Sequence, residues 1–175
     1  MVEFSFTYST HTGNSIRNLV NLLYSRGKVI SKATGGNFKA SAGLVEALKD
    51  ENIKTYEKAR QVIEVYIAEH EDALSGVEFT PVEVIFNGFP DAELPGKIRA
   101  FGSLARAMNQ QAIAQKRIQA RIVDDANEKY IFRIWMVRIG LSGDAYRETR
   151  RYLLKNLTGN VAFRVPINLK LDEKG

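Results

Sequence analysis

Apolar side chains at Val2, Phe4, Phe6 and Tyr8 alternate with Glu3, Ser5 and Thr7. A period of two belongs to a strand with one buried and one wet face. From Ile16 the period changes. Ile16, Leu19, Val20, Leu23 and Tyr24 follow helical spacing, and Gly27 is placed to end that helix. Residues 28–33 and 37–40 flank Thr34, Gly35 and Gly36, which predicts a hairpin. Leu44, Val45 and Leu48 predict a short helix. Thr55 suits the N-cap of the next, whose stripe is Ala59, Val62, Ile63, Tyr66 and Ile67. Ser75-Gly76 is expected to break it.

Residues 77–86 are rich in β-branched and aromatic side chains and read as strand, interrupted at Pro81. Asn87-Gly88 and Pro90 predict a turn. Pro95 suits the first turn of a helix with the stripe Ile98, Phe101, Leu104, Ala105, Met108 and Ala112, extending to about Ile122. Residues 129–139 fit a helix or a buried strand. Asp125 and Glu128, in capping-box positions, favour helix. Ser142 suits the cap of a last helix, with Tyr146, Leu153, Leu154 and Leu157 inward and Gly159 at its end. Residues 161–165 read as a final strand. Neither repeats nor linkers interrupt the chain. The expectation is one α+β domain, 1–175, with a small, mostly antiparallel sheet packed against a helix-rich C-terminal half.

Composition narrows the chemistry. There is no cysteine among the 175 residues, which excludes disulfides, thiol catalysis and thiolate metal sites. The longest apolar-rich run, 130–141, is too short to cross a bilayer and carries Arg133 and Arg138. The N-terminus has no secretory pattern. A cytoplasmic protein without a membrane partner is expected. The net charge of +5 is unevenly spread: residues 1–45 carry +4, 46–96 carry −8, and 97–155 carry +8. Either the basic regions meet an anionic partner, or acidic and basic elements pair within the domain.

The first candidate site is Ser9, Thr10, Thr12, Gly13, Asn14 and Ser15, between strand and helix. Hydroxyls, a glycine and a helix N-terminus together can hold a phosphate. The stretch STHTGNS resembles the phosphate loop of flavodoxins, which implies a flavin or nucleotide enzyme as an alternative. The wet face of the preceding strand argues otherwise, because flavodoxin's first strand is buried on both faces. The later chain also lacks alternation of strand and helix. A plain helix cap accounts for the same residues. No cofactor is expected.

The second candidate is 136–157, where helix, Gly-Leu-Ser and helix resemble a DNA-binding helix-turn-helix. Met136 and Thr149 depart from that pattern. Arg147, Arg150, Arg151 and Lys155 recur at i, i+3, i+4 and i+8 and share one broad face suited to phosphates. Two packed helices with a solvated basic face, the commoner arrangement, also account for them. The third is a polar run, Asn109, Gln110, Gln111, Gln115, Lys116, Arg117, Gln119 and Arg121, which can touch phosphates and base edges or form an exposed helix face. Glu69, His70, Glu71 and Asp72 are consecutive, so as a helix end they point apart and no metal site is expected. His11 has no placeable carboxylate partner, and no catalytic residue is assigned.

The segments FTYSTHTGNSIRNLVNLLYSRG (6–27) and QKRIQARIVDDANEKYIFRIWMVRIGLSGDAYRETRRYLLKNLTGNVAFR (115–164) look like a family of conjugative and phage-like mobile elements in Gram-positive gut bacteria, labelled "virulence-related". The resemblance covers most of the chain. It implies a mobile-element setting, where accessory proteins handle DNA or disarm host defence. Small inhibitors of CRISPR nucleases, known as anti-CRISPR proteins, are one such class. The expectation is a non-enzymatic protein that binds nucleic acid or a nucleoprotein, such as a CRISPR effector, through Arg147, Arg150, Arg151 and Lys155, then Lys116, Arg117 and Arg121.

Overall fold

The structure, a computed structural model, describes residues 2–124 and 126–162. Strand β1 (Phe4–Thr7) leads through a 3-10 turn (Tyr8–Thr10) into helix α1 (Gly13–Thr34). Then come β2 (Lys39–Ala40), α2 (Ala42–Ala47), α3 (Tyr56–Glu69), β3 (Leu74–Ser75), β4 (Val77–Phe79) and β5 (Glu83–Phe86). Helices α4 (Pro95–Ala114), α5 (Glu128–Arg138) and α6 (Arg147–Leu154) complete the described chain. The main sheet is antiparallel in the order β1-β5-β4, with Phe4 and Val77 both opposite Phe86. A second, two-stranded sheet pairs β2 with β3. The architecture is α+β, with the helix-rich C-terminal half that the patterns predict.

The alternation in β1 is real. Phe4 and Phe6 turn inward while Ser5 and Thr7 are exposed. Phe6 meets Phe86 edge-on at 5.7 Å, and Phe4 meets Phe89 at 5.5 Å. Helix α4 lies across this aromatic layer, stacking Phe101 on Phe89 at 4.9 Å. Helix α1 is the buried axis of the molecule. Its Ile16, Leu19, Val20 and Ile30 are completely buried, and it packs against α2, α3 and α4. Burying side chains of this size contributes roughly 1.5–3 kcal/mol each.

Helix α1 does not stop at Gly27. It runs 22 residues and ends at Gly35, whose φ of 75° supplies the left-handed cap. Gly27 instead permits a close approach: a Cβ there would stand 2.6 Å from the Phe38 carbonyl oxygen. The expected hairpin across 28–40 is therefore helix, cap and the short strand β2. Helix α3 likewise ends at Glu69, before Ser75-Gly76. Residues 77–86 form a hairpin whose turn is tied by Thr80 Oγ1, which accepts from the Glu83 and Val82 amides.

Helix α4 begins at Pro95 as predicted but stops at Ala114, not near Ile122. Residues 128–138 resolve the strand-or-helix ambiguity as helix. The capping side chain is Asn127, which accepts from the Tyr130 amide; Asp125 lies outside the described residues. No side chain caps α6, so Ser142 does not play that part, and a 3-10 turn (Asp144–Tyr146) precedes the helix. Val161 and Ala162 are not strand, and the rest of the expected last strand, 163–165, lies outside the described residues. Among the described residues no helix is long and apolar enough to cross a membrane.

Candidate nucleic-acid interface

The loop after β1 is closed on itself. Thr12 Oγ1 accepts from the Ser15 amide, and Ser15 Oγ accepts from the Thr12 amide at 2.8 Å, a reciprocal capping box. The Gly13 amide donates to the Lys54 carbonyl at 3.0 Å. A Cβ on Gly13 would fall 2.1 Å from the Ile53 carbonyl oxygen, so the 53–55 segment sits where a phosphate would have to enter. Ser9 is tied to Thr7, and Thr10 is exposed in the 3-10 turn. The cap reading of Ser9, Thr10, Thr12, Gly13 and Ser15 fits this geometry. An open flavin cradle does not.

Buried beneath the cap lies His11. Its Nδ1 is 2.9 Å from Ser15 Oγ, and its Nε2 is 2.8 Å from Asn109 Oδ1 on α4. Serine, imidazole and amide thus line up as in a hydrolase, but the serine has no access. Ser15 is buried, and its Oγ is already engaged with Thr12. Burial pushes the His11 pKa down, opposed in part by the Asn109 bond. The group serves as a neutral tie between the loop and α4.

Asn14 points elsewhere, into a groove with the third candidate set. Three side chains on one face of α1 seize the chain that leaves α4. Asn18 donates to the carbonyls of Ala112 and Gln115 at 3.1 and 2.8 Å and accepts from the Ile118 amide at 2.9 Å. Asn21 donates to the Ile118 carbonyl, and Ser25 binds the Gln119 carbonyl and the Arg121 amide. These bonds replace the next helical turn, which is why α4 ends at Ala114. Residues 115–123 become a strap along α1. Ile118 is buried under it, while Lys116, Arg117, Gln119 and Arg121 are exposed.

The strap forms one wall of a groove of about 970 Å³. Asn14, Arg17, Asn21 and Lys49 stand opposite, and Glu51 is its one acidic lining residue. Arg17 is structural. Its guanidinium donates to the carbonyls of Leu48, Asp50 and Ile53. Lys49 is paired with Glu46. Lys116, Arg117 and Arg121 make no ion pair among the described residues. Asn109 and Gln111 of the same polar run are not on this wall; Asn109 is the partner of His11.

The basic face expected on the last helix divides. Arg147 pairs with Asp144 at 2.8 Å. Arg150 closes the turn between α5 and α6, donating to the Leu141 and Gly143 carbonyls at 2.9 Å each. Of these four, Arg151 and Lys155 make no ion pair among the described residues, and they line a separate pocket with Lys129 and Tyr152. That pocket and the groove share no lining residue. Tyr152 rests on Gly96 at the start of α4, and the strap begins at its end, roughly 28 Å along the helix at 1.5 Å per residue.

Sequence patterns alone had not brought Arg17, Asn21 and Lys49 to the strap, nor Lys129 and Tyr152 to Arg151. One signal was present: Asn14, Asn18, Asn21 and Ser25 make a polar stripe at i, i+4, i+7 and i+11 beside the apolar stripe of α1. His70 stacks on Tyr66 at 4.1 Å, and no group of three or more potential metal ligands occurs among the described residues. Comparison with protein-family models, with curated proteins and with solved structures yields no match for this chain.

Proposed function

We propose that this protein is a non-catalytic binder of nucleic acid, alone or within a nucleoprotein, and that the strap groove is its contact surface. The observation that carries the reading is the strap itself. It holds Lys116, Arg117, Gln119 and Arg121 on a backbone fixed by α1, and none of the three cations makes an ion pair among the described residues. Cations of this kind bind phosphates and release condensed counterions, giving affinity that depends on salt more than on sequence. Asn14, Asn21 and Gln119 add amides able to bond to phosphate or base edges. The resemblance to mobile-element proteins makes a CRISPR effector carrying its guide RNA the most concrete nucleoprotein target. Occupying its nucleic-acid channel would inhibit it.

The test is binding to single-stranded DNA, duplex DNA and guide-RNA complexes at two salt concentrations. A Lys116→Ala/Arg117→Ala/Arg121→Ala variant removes three phosphate contacts. Its slope of log affinity against log salt should fall by about two on single strands. An unchanged slope would sink the groove as the contact surface. A nuclease-inhibition assay with the same variant tests the effector target.

A further inference from the structure

The pocket between α5 and α6 is built, not incidental. Asn127 Oδ1 accepts from the Asn160 amide at 2.7 Å, and Glu128 accepts from both the amide and hydroxyl of Thr158. The Lys129 amide donates to the Thr158 carbonyl. At Gly159, φ is 108°, and a Cβ would stand 2.1 Å from Asn127 Oδ1. This clamp folds the chain after α6 back onto the start of α5. Lys129 and Val161 thereby join Arg151, Tyr152, Leu154 and Lys155 around a cavity of about 590 Å³.

Its chemistry is one-sided. Among the described residues three cations line it, no carboxylate does, and none of the three makes an ion pair. Like charges held together without an anion repel one another, so the pocket favours a multiply charged anion. Tyr152 supplies an aromatic wall, and Leu154 and Val161 supply apolar ones. An internal phosphodiester brings one charge and is flanked by sugar on both sides. A phosphomonoester brings about −1.5 to −2 charges and three acceptor oxygens on one exposed end. The volume suits one nucleotide, and a base can stack on the ring.

We propose that this pocket binds a terminal phosphate carried by a nucleotide, with Lys129, Arg151 and Lys155 on the phosphate and Tyr152 against the base. The source is either the 5′-phosphorylated end of a strand or a free nucleoside monophosphate. The choice of ligand rests on the nucleic-acid reading above, but the site is distinct from the strap groove.

Twelve-nucleotide single strands labelled at the 3′ end, with either 5′-phosphate or 5′-hydroxyl, are titrated against the full chain by fluorescence anisotropy. The phosphorylated strand should bind at least fivefold more tightly, and Arg151→Gln and Lys129→Ala should each erase the difference. Competition by adenosine monophosphate, stronger than by inorganic phosphate and weakened in Tyr152→Leu, identifies a free nucleotide as a sufficient ligand. Competition by neither, with the end preference intact, identifies the strand end. Equal affinity for the two strands, with no competition by the nucleotide, overturns the proposal. The strap variant separates the two sites. An end preference that survives in it supports the pocket even where the groove reading fails. Strands that bind through the groove with no end preference and no competition by the nucleotide remove the pocket alone.

Discussion

The buried ring of His11 reaches Asn109 across 98 residues of chain, Nε2 to Oδ1 at 2.8 Å. An amide oxygen only accepts, so Nε2 carries the proton. In the neutral ring Nδ1 is then the acceptor, facing Ser15 Oγ at 2.9 Å. The pair joins the cap of α1 to the C-terminal half of α4, the two helices that the strap links further on.

This tie makes stability depend on pH. Burial sets the folded pKa of His11 below the ordinary 6.5. Between those two values the unfolded chain holds the proton more readily than the folded one. Stability is therefore full above about pH 6.5 and declines as pH falls through the folded pKa. Thermal melts from pH 7.5 to 5 should show a falling Tm, with a shallower fall in His11→Gln. Parallel curves for the two proteins would refute the assignment.

Asn18 makes three bonds to main-chain groups of 112–118. Asn18→Leu leaves buried polar groups unpaired, at about 1–3 kcal/mol each where water cannot reach them. The strap should loosen before the core does. Trypsin should cut the variant at Lys116, Arg117 or Arg121 several times faster than the parent. Equal cleavage rates at matched stability would show that the strap is held by something else.

Gly27→Ala should destabilise the protein by roughly 1–3 kcal/mol, since the added methyl meets the Phe38 carbonyl, which is backbone and tied to Ser31. An ordinary mid-helix glycine gains stability from alanine, by about 0.5–1 kcal/mol. The sign of the change, read from urea midpoints, decides whether Gly27 is a point of contact or only a weak helix former.

Arg26 stands over the Trp135 ring at 5.2 Å, and its Nη1 is buried without a hydrogen-bond partner. Burial, and then repulsion from Arg138, bring its pKa down to about 10. A cation whose folded pKa lies below its unfolded value opposes folding throughout neutral pH. Arg26→Met keeps the packing and removes the charge. It should raise Tm by about 2–4 °C for each kcal/mol gained. A lower Tm would mean that the attraction of the ring outweighs the burial of the charge.

Amphipathic elements were legible in the sequence wherever local pattern decides them. The alternation of Phe4 and Phe6, the Thr55 cap and Pro95 all lie where their own chemistry puts them. What failed depended on partners distant in the chain. Gly27 looks like a helix stop until Phe38 is known to pass beside it. Residues 115–122 are good helix formers, and only Asn18, Asn21 and Ser25, about 95 residues earlier, draw them out of the helix. The basic set was legible as residue types but not as places. Arg150 is spent on a turn, Arg147 on Asp144, and the rest line two separate pockets.

The strap also fixes a length. Arg117, Gln119 and Arg121 are exposed while Ile118 and Ala120 turn toward α1. Extended chain advances about 3.3 Å per residue, which spaces successive outward side chains by about 6.6 Å. Because α1 grips the strap through Asn18, Asn21 and Ser25, that spacing is set by the fold and cannot slide along the helix.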